Sequence, residues 1–484
     1  MFNKFCIFLQ LKIADKELLF YKIKNQSIME NIPKLSIEIK DFRAIKTADI
    51  ILNGITVIAG INGCGKSTIS KLLYRTIKTS IDFNRIIGEN IFNELWPIRR
   101  FMDELVHELE YYRKSDSGNK KELKYERNDL KYKFYQFFNY NSTLDLKEQE
   151  SRILLIFDIL KKEYEELSIN IENDKNFHQR FYRITRFFKE EFDKEKNSEN
   201  INISILLDKI KKIVKDKFNK AYILIDERSI KILDNIIENY FTENINVKNY
   251  NVKELGVLMT NRTAKKLSNF LTINKVAYID TPMIIGVENI EDTDVPHWVD
   301  LNSLLENSPK KGKNKNKISD LLKEEIIDGE TSYDSNSETF KYKRNDGHVF
   351  DLFNCATGLK SFSALQILYN NGFLDDKTLL IIDEPETHLH PEWIVQYARL
   401  IVLLHKELKV NFLIGSHSPD MVSAIKYISK KELGRNNNSL NFYFAKEINK
   451  YKFEYRHTKT DIEQIFNSFN LSLDKINEYG ATEE

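Results

Sequence analysis

Cysteine is scarce in this chain. Its 484 residues include three, Cys6, Cys64 and Cys355, far apart and without a Cys-x-x-Cys pair. That spacing argues against a disulfide scaffold and against a Cys-based zinc site, and a reducing cytoplasm fits it. Long apolar runs are missing too. None approaches the ~20 residues of a membrane helix, so no membrane partner is expected. Nor is there an excess of one charge: Lys plus Arg total 73 against 72 for Asp plus Glu, a net +1. No global field marks nucleic acid as a partner, which leaves only a local basic patch. What is present is 42% apolar and 30% charged residues. That is enough for a large core and a soluble surface, and the length has room for two or three domains.

The N-terminus is weakly apolar, but lysines interrupt it early and no small-residue cleavage site follows. This reads against a signal peptide. Met29 offers an alternative start just before the first alternating strand, in which case residues 1 to 28 are a dispensable extension.

The stretch "GINGCGKST", residues 60 to 68, has the form Gly-x-x-x-x-Gly-Lys-Ser. A phosphate needs many donors close to several oxygens, and backbone N–H groups supply them where no side chain blocks the approach. Gly60, Gly63 and Gly65 remove Cβ atoms where the chain curls, with Asn62 and Cys64 between them. Lys66 adds a charge for the outer phosphates, and the Ser67 hydroxyl can ligate Mg²⁺, with Thr68 next in the following helix. That helix aims its positive end at the anion. The preceding "GITVIAG" reads as a buried strand. Strand, loop and helix are the context a nucleotide phosphate requires.

A second segment, "KTLLIIDEPETHLHPEW" at 377 to 393, runs four apolar residues into Asp383-Glu384. A buried parallel strand delivers its last side chains to the carboxyl edge of the sheet, where ligands bind. Asp383 is placed to hold Mg²⁺, and Glu384 to polarise the attacking water. A third, "VNFLIGSHSPDM" at 410 to 421, ends its strand in Ser416-His417-Ser418. His417 there can donate to a γ-phosphate oxygen or hold the water. His388 and His390 lack a carboxylate–His set with metal-site spacing, so they read as an ordered subunit-contact loop.

Between these motifs, residues 90 to 270 carry long helical patterns, among them "SILLDKIKKIVKDKF" and "RSIKILDNIIENYF". Heptads are not sustained, so a packed helical insertion is expected rather than a coiled coil. "KVAYIDTPMIIGV" at 275 to 287 returns to strand. "SPKKGKNKNK", 308 to 317, has no apolar residue. It reads either as a solvated loop or as a contact to a DNA backbone. "ETFKYKRNDGHVFDLF" predicts a hairpin turned at Asn345-Asp346-Gly347.

This order of motifs resembles the ABC-type ATPases of the SMC, RecF and OLD kind. The resemblance covers roughly residues 35 to 85 and 340 to 425. It implies an α/β fold: a P-loop ABC-type ATPase head, a mixed sheet flanked by helices, with a large mostly helical insertion. It also implies ATP and Mg²⁺ as cofactors. The family's signature loop corresponds to "NCATGLKSFSALQIL", where Thr357, Gly358 and Lys360 face a nucleotide and Ala356 replaces a serine. "IKDFRAIKTADIIL" resembles the family's opening strands and places Arg43 near the nucleotide. No Q-loop glutamine is assigned among Gln136, Gln149 and Gln179. The expected division is an extension at 1–28, a first head part at 29–89, the insertion at 90–270 and a return strand with linker at 271–307. The Lys/Asn-rich loop at 308–317, a second head part at 318–450 and a tail at 451–484 complete it.

In such proteins the signature loop of one head closes the site of another, which implies a homodimer or higher oligomer. About 290 residues separate Ser67 from Thr357, far more than in a transporter ATPase. A zinc hook needs a Cys pair that is absent. Fewer than 70 residues follow His417, too few for an OLD-type nuclease domain. The wording "ATGLKSF…DEPETHLHPEW…SHSP" resembles PtuA, the ATPase subunit of Septu-type anti-phage systems. That implies control of a separate HNH-type nuclease acting on nucleic acid. A RecF-like DNA-repair or chromosome-maintenance ATPase, and an ATP-bound assembly scaffold with little turnover, are the alternatives.

Overall fold

Four apolar segments lie side by side in one sheet, and they are the ones that carry the motifs. The computed structural model describes residues 32–116, 131–132, 134–172, 203–241, 249–287, 290, 293, 295–307, 317–434, 438–459, 461–469 and 478. The expected extension at 1–28 and residues 308–316 of the Lys/Asn-rich loop lie outside them; Lys317 begins a short helix. The chain divides into two compact units, Met1–Ile81 with Ile230–Glu484, and Asp82–Ser229.

The first unit is built on a mixed ten-stranded sheet. Its strands are β1 (Leu35–Phe42), β2 (Ile45–Leu52), β3 (Ile55–Ala59), β4 (Tyr250–Glu254), β5 (Val257–Leu258), β8 (Lys275–Ile279), β12 (Thr378–Asp383), β13 (Asn411–Ser416), β14 (Leu440–Asn449) and β15 (Lys452–Lys459). Two short strands, β6 (Thr260–Asn261) and β7 (Lys266–Leu267), pair separately. The sheet order is β5-β4-β1-β2-β15-β14-β3-β13-β12-β8. From β14 to β8 all pairs are parallel. β3, β12 and β13 are buried at every residue, which is why they read as unbroken apolar runs rather than alternating ones. Register sets their carboxyl ends level: Ala59 lies beside Ser416, Gly415 beside Asp383, and Ile382 beside Ile279.

Helices cover this sheet: α1 (Lys66–Ile81), α6 (Lys231–Phe241), α7 (Pro296–Leu305), α8 (Thr357–Asn370), α9 (Pro391–Leu408), α10 (Pro419–Glu432) and α11 (Glu463–Phe469). A three-stranded sheet of β9 (Gly329–Asp334), β10 (Thr339–Arg344) and β11 (Val349–Asp351) stands apart from it in the strand order. The hairpin expected at Asn345-Asp346-Gly347 forms there. Gly347 has φ +92°, and Arg344 N–H donates to the His348 carbonyl at 2.9 Å.

The second unit is helical: α2 (Phe83–Glu94), α3 (Trp96–Asp116), α4 (Leu146–Glu172) and α5 (Ile203–Glu227). α5 buries Ile203, Leu206, Leu207, Ile210, Val214, Phe218 and Ala221, the stripe of a 3.6-residue period. Ion pairs Lys161–Asp208, at 2.6 Å, and Lys211–Asp158 join α4 to α5.

Two expected boundaries differ from the structure. The helical unit is Asp82–Ser229, not 90–270: α6 packs with α1, and β4 extends the sheet beside β1. β4 is short and its partner lies some 200 residues back, so no local hairpin signal announces it. Nor is 451–484 a tail throughout. Phe453 and Tyr455 alternate with polar residues and are buried, and β15 sits inside the sheet between β14 and β2.

The C-terminal end of α9 is closed by a buried histidine. Burial holds the His405 imidazole below its ordinary value, and the neutral ring donates Nδ1–H to the Val410 carbonyl at 2.8 Å, just before β13. A histidine depressed in the folded state contributes stability above its unfolded value near 6.5. That stability is lost as pH falls from there through the folded value. His457, also held low by burial, acts in the same direction. The melting temperature should therefore fall on acidification below about pH 6.5, and His405→Gln should flatten that fall; an equal slope in both proteins, measured by thermal melts across pH, would contradict this.

Candidate active site at the carboxyl ends of the central strands

The loop between β3 and α1 has the backbone a phosphate cradle needs. Gly63 and Gly65 have φ of +80° and +102°, which side-chain-bearing residues rarely adopt. A Cβ on Gly63 would meet nothing, whereas one on Gly65 would strike Ile45 at 2.8 Å. Asn62 is exposed, while Cys64 and Thr68 are buried. Tyr455 of β15 lies under the loop, its hydroxyl donating to the Cys64 carbonyl at 3.2 Å. Lys66 is almost wholly buried. Its ammonium donates to the carbonyls of Gly60 and Ile61 at 3.0 and 3.3 Å and stands 4.0 Å from Glu384 Oε1.

Asp383 ends β12 and is 6% exposed. Ser70 donates to its Oδ1 at 2.7 Å, and Tyr278 of β8 to its Oδ2 at 2.8 Å. Burial pushes this carboxyl above its ordinary range, against the opposing hydrogen bonds from Ser70, Tyr278 and Ser67. A divalent cation would favour the ionised form and reverse that push. The Ser67 hydroxyl and the Asp383 carboxylate thus sit together, with Lys66 beside them. This donor set fits a magnesium ion whose remaining ligands are phosphate oxygens and water.

Glu384 has left the strand. Its φ is +49°, and its N–H donates to the Gly415 carbonyl at 2.7 Å. A non-glycine residue there stores about 1 kcal/mol or more, and the turn sends the side chain away from that of Asp383. His417 follows β13, with Nδ1 3.5 Å from Glu384 Oε1 and 3.3 Å from Glu386 Oε1. Lys66, Ser67, Asp383, Glu384 and His417 therefore gather at one sheet edge, from segments more than 300 residues apart.

Other expected residues lie elsewhere. Thr357, Gly358 and Lys360 are in the first turn of α8. Gly358 packs on Trp393, Lys360 is buried with its ammonium 5.1 Å from the Phe353 ring centre, and Thr357 Oγ1 is 3.9 Å from Met283 Sδ. Among the described residues, no hydrogen bond or ion pair joins them to the Lys66–Asp383 cluster. Arg43 occupies the tight β1–β2 turn at φ +51°, its guanidinium 5.3 Å from the Phe241 ring centre. Two residues on, Ile45 touches the space at Gly65. Of the glutamines, Gln149 is buried in the helical unit, bonded to the carbonyls of Asn141 and Leu144, and Gln179 lies outside the described residues. His390 caps α9, its Nδ1 accepting from Glu392 N–H at 3.4 Å.

Sequence reasoning passed over Ser70, Tyr278, Glu386 and Gly415. Ser70 stands one helical turn after Lys66, which places it on the same face. Tyr278 has a wider role: its ring lies 4.6 Å from that of buried His297, which bonds Asp280 Oδ2 at 2.8 Å. Burial would raise the Asp280 carboxyl, but the bonds from His297 and Trp298 outweigh it and hold it below its ordinary range.

The AAA ATPase domain family matches residues 35–422. This chain belongs to that family. The match takes in the phosphate loop, the Asp383-Glu384 strand and His417, and spans the helical unit between them. No curated protein matches. Solved structures that align with the chain include an SMC head domain with an extended coiled coil, bound to the C-terminal domain of ScpA, from Pyrococcus furiosus. It is 11% identical and covers 91% of this chain and 98% of its own, at a TM-score of 0.30. An SMC head bound to the C-terminal winged-helix domain of ScpA is 10% identical, covers 90% and 100%, and scores 0.35. The SMC head domain from Thermotoga maritima is 12% identical, covers 33% and 52%, and scores 0.24. Likenesses this distant carry no argument about what this chain does.

Gly415 tests the geometry. A Cβ there would lie 2.6 Å from Asp383 Oδ1 and 3.6 Å from Lys66 Cβ, so Gly415→Ala must displace the carboxylate. Mg²⁺-dependent ATP affinity should fall about 10- to 100-fold, the range for disturbing a metal ligand's support. Titration calorimetry with and without Mg²⁺ checks this, and wild-type affinity would contradict it.

Proposed function

We propose that this chain hydrolyses ATP with Mg²⁺, and that paired heads closing on two nucleotides control a partner nuclease in an anti-phage defence complex of the Septu kind. The observation that carries the hydrolytic part is the placement of Glu384 and His417 3.5 Å apart beside Lys66 and Asp383. In this reading the phosphate loop from Gly60 to Thr68 surrounds the phosphates with N–H groups, and Lys66 turns from its carbonyl partners to the outer phosphates. Ser67 and Asp383 hold magnesium, which would neutralise charge on the β- and γ-phosphates. Glu384 takes the proton of the attacking water, and His417 donates to a γ-phosphate oxygen.

Among the described residues the signature turn of α8 has no bond to its own chain's cluster, which supports its use on a second copy's nucleotide. Thr357, Gly358 and the N–H groups of that turn then face the γ-phosphate, although Ala356 offers no side-chain cap. Arg43 is proposed for the nucleotide's rim. The defence role rests on the wording of the motifs around Thr357, Asp383 and His417, and implies an HNH-type nuclease as a separate subunit.

Glu384→Gln should lower kcat about 100-fold or more while ATP still binds and heads pair. Lys66→Ala should abolish binding itself. Phosphate release and nucleotide titration separate the two, and unchanged turnover in Glu384→Gln would remove it from this role. Co-purification with an adjacently encoded nuclease, retained in Glu384→Gln and lost in Lys66→Ala, checks the partner. A nuclease bound equally by both variants would contradict ATP control.

A further inference from the structure

Resting on the reading of Glu384 as base and His417 as γ-phosphate ligand, we propose that Glu386 is a positioning residue for His417, holding its imidazole away from Glu384. Glu386 lies two residues beyond the base and is 7% exposed. Its Oε1 accepts from Ser416 Oγ at 2.9 Å and from the His417 backbone N–H at 2.9 Å. The same oxygen stands 3.3 Å from His417 Nδ1, slightly nearer than Glu384 Oε1 at 3.5 Å. Nδ1 itself is buried, although the side chain is 40% exposed. It faces both carboxylates without yet being aligned for a hydrogen bond to either. Glu386 Oε2 is likewise buried without a hydrogen-bond partner. Two carboxylates therefore compete for one ring proton.

The outcome of that competition decides what Glu384 can do. If Nδ1–H points at Glu384, that carboxylate is occupied. If it points at Glu386, Glu384 is free, and a carboxylate still sits against the ring to fix its orientation. A ring protonated on both nitrogens then presents Nε2–H to a phosphate oxygen from its exposed edge. In the reaction served, the water oxygen bonds to the γ-phosphorus and its proton passes to Glu384. The bond from that phosphorus to the β–γ bridging oxygen breaks, and its electron pair leaves on ADP. Glu386 touches none of the reacting atoms.

Glutamine at 386 keeps an oxygen for Ser416 Oγ and the His417 N–H but removes the charge. Steady-state phosphate release should show kcat lowered about tenfold in Glu386→Gln, since a carboxylate that orients a catalytic imidazole contributes at least this much. The KM for ATP should stay within about twofold and the melting temperature unchanged. Glu386→Gln combined with His417→Ala should be no slower than His417→Ala alone. Wild-type kcat in Glu386→Gln, with Glu384→Gln inactive, would overturn the proposal and leave the base in place. A double variant tenfold slower than His417→Ala would overturn it as well, since Glu386 would then act independently of the ring. Full turnover in Glu384→Gln would instead overturn the base assignment and this proposal with it.

Discussion

A buried carboxylate is tolerated at the end of β12 because its surroundings answer it almost atom for atom. Asp383 has Ser70 on one oxygen and Tyr278 on the other, Ser67 alongside, and the Lys66 stem across the bare backbone of Gly415. These partners come from three separate parts of the chain. Ser67 and Ser70 arrive on α1, Tyr278 on β8 and Gly415 on β13. The parallel register of β3, β13, β12 and β8 is what brings these groups level. A one-residue slip in any of these pairings would turn the wrong side chains to the site.

Strain and burial meet at the same edge. Glu384 sits at positive φ, Gly63 and Gly65 bend the phosphate loop, and His417 and Glu386 each leave a buried polar atom unpaired. Buried polar groups elsewhere are treated both ways: His405 bonds the Val410 carbonyl and His297 bonds Asp280, whereas among the described residues Ser363 Oγ and Ser429 Oγ have no hydrogen-bond partner.

The parallel half of the fold is legible from the sequence because fully buried strands leave unbroken apolar runs, and the motifs stand at their ends. Asp383 and His417 stand at the ends of two such runs, and the glycine pattern at 60 to 65 marks the loop that leads to Lys66. The antiparallel half was harder. β4 and β15 have partners hundreds of residues away and no tight turn to flag them. The helical unit begins and ends earlier than its apolar periodicity suggested, because α6 carries a helix's pattern yet packs on α1. Glu386 was overlooked for a different reason: a carboxylate after a proline looks like surface, and only the packing of Ser416 and His417 buries it.

The position of β3 between β13 and β14 governs how the protein can be made. β3 ends at Ala59, but both of its neighbours come after residue 410. β2 waits still longer, for Phe453 of β15. The strand that carries the phosphate loop therefore has open edges through most of synthesis, while the local contacts of residues 82–229 need no such delay. The nascent chain thus presents an unpaired apolar strand to its surroundings for most of translation. Assembly of the site is a late event of biogenesis, and premature termination before the last hairpin leaves β3 without β14 and β2 without β15.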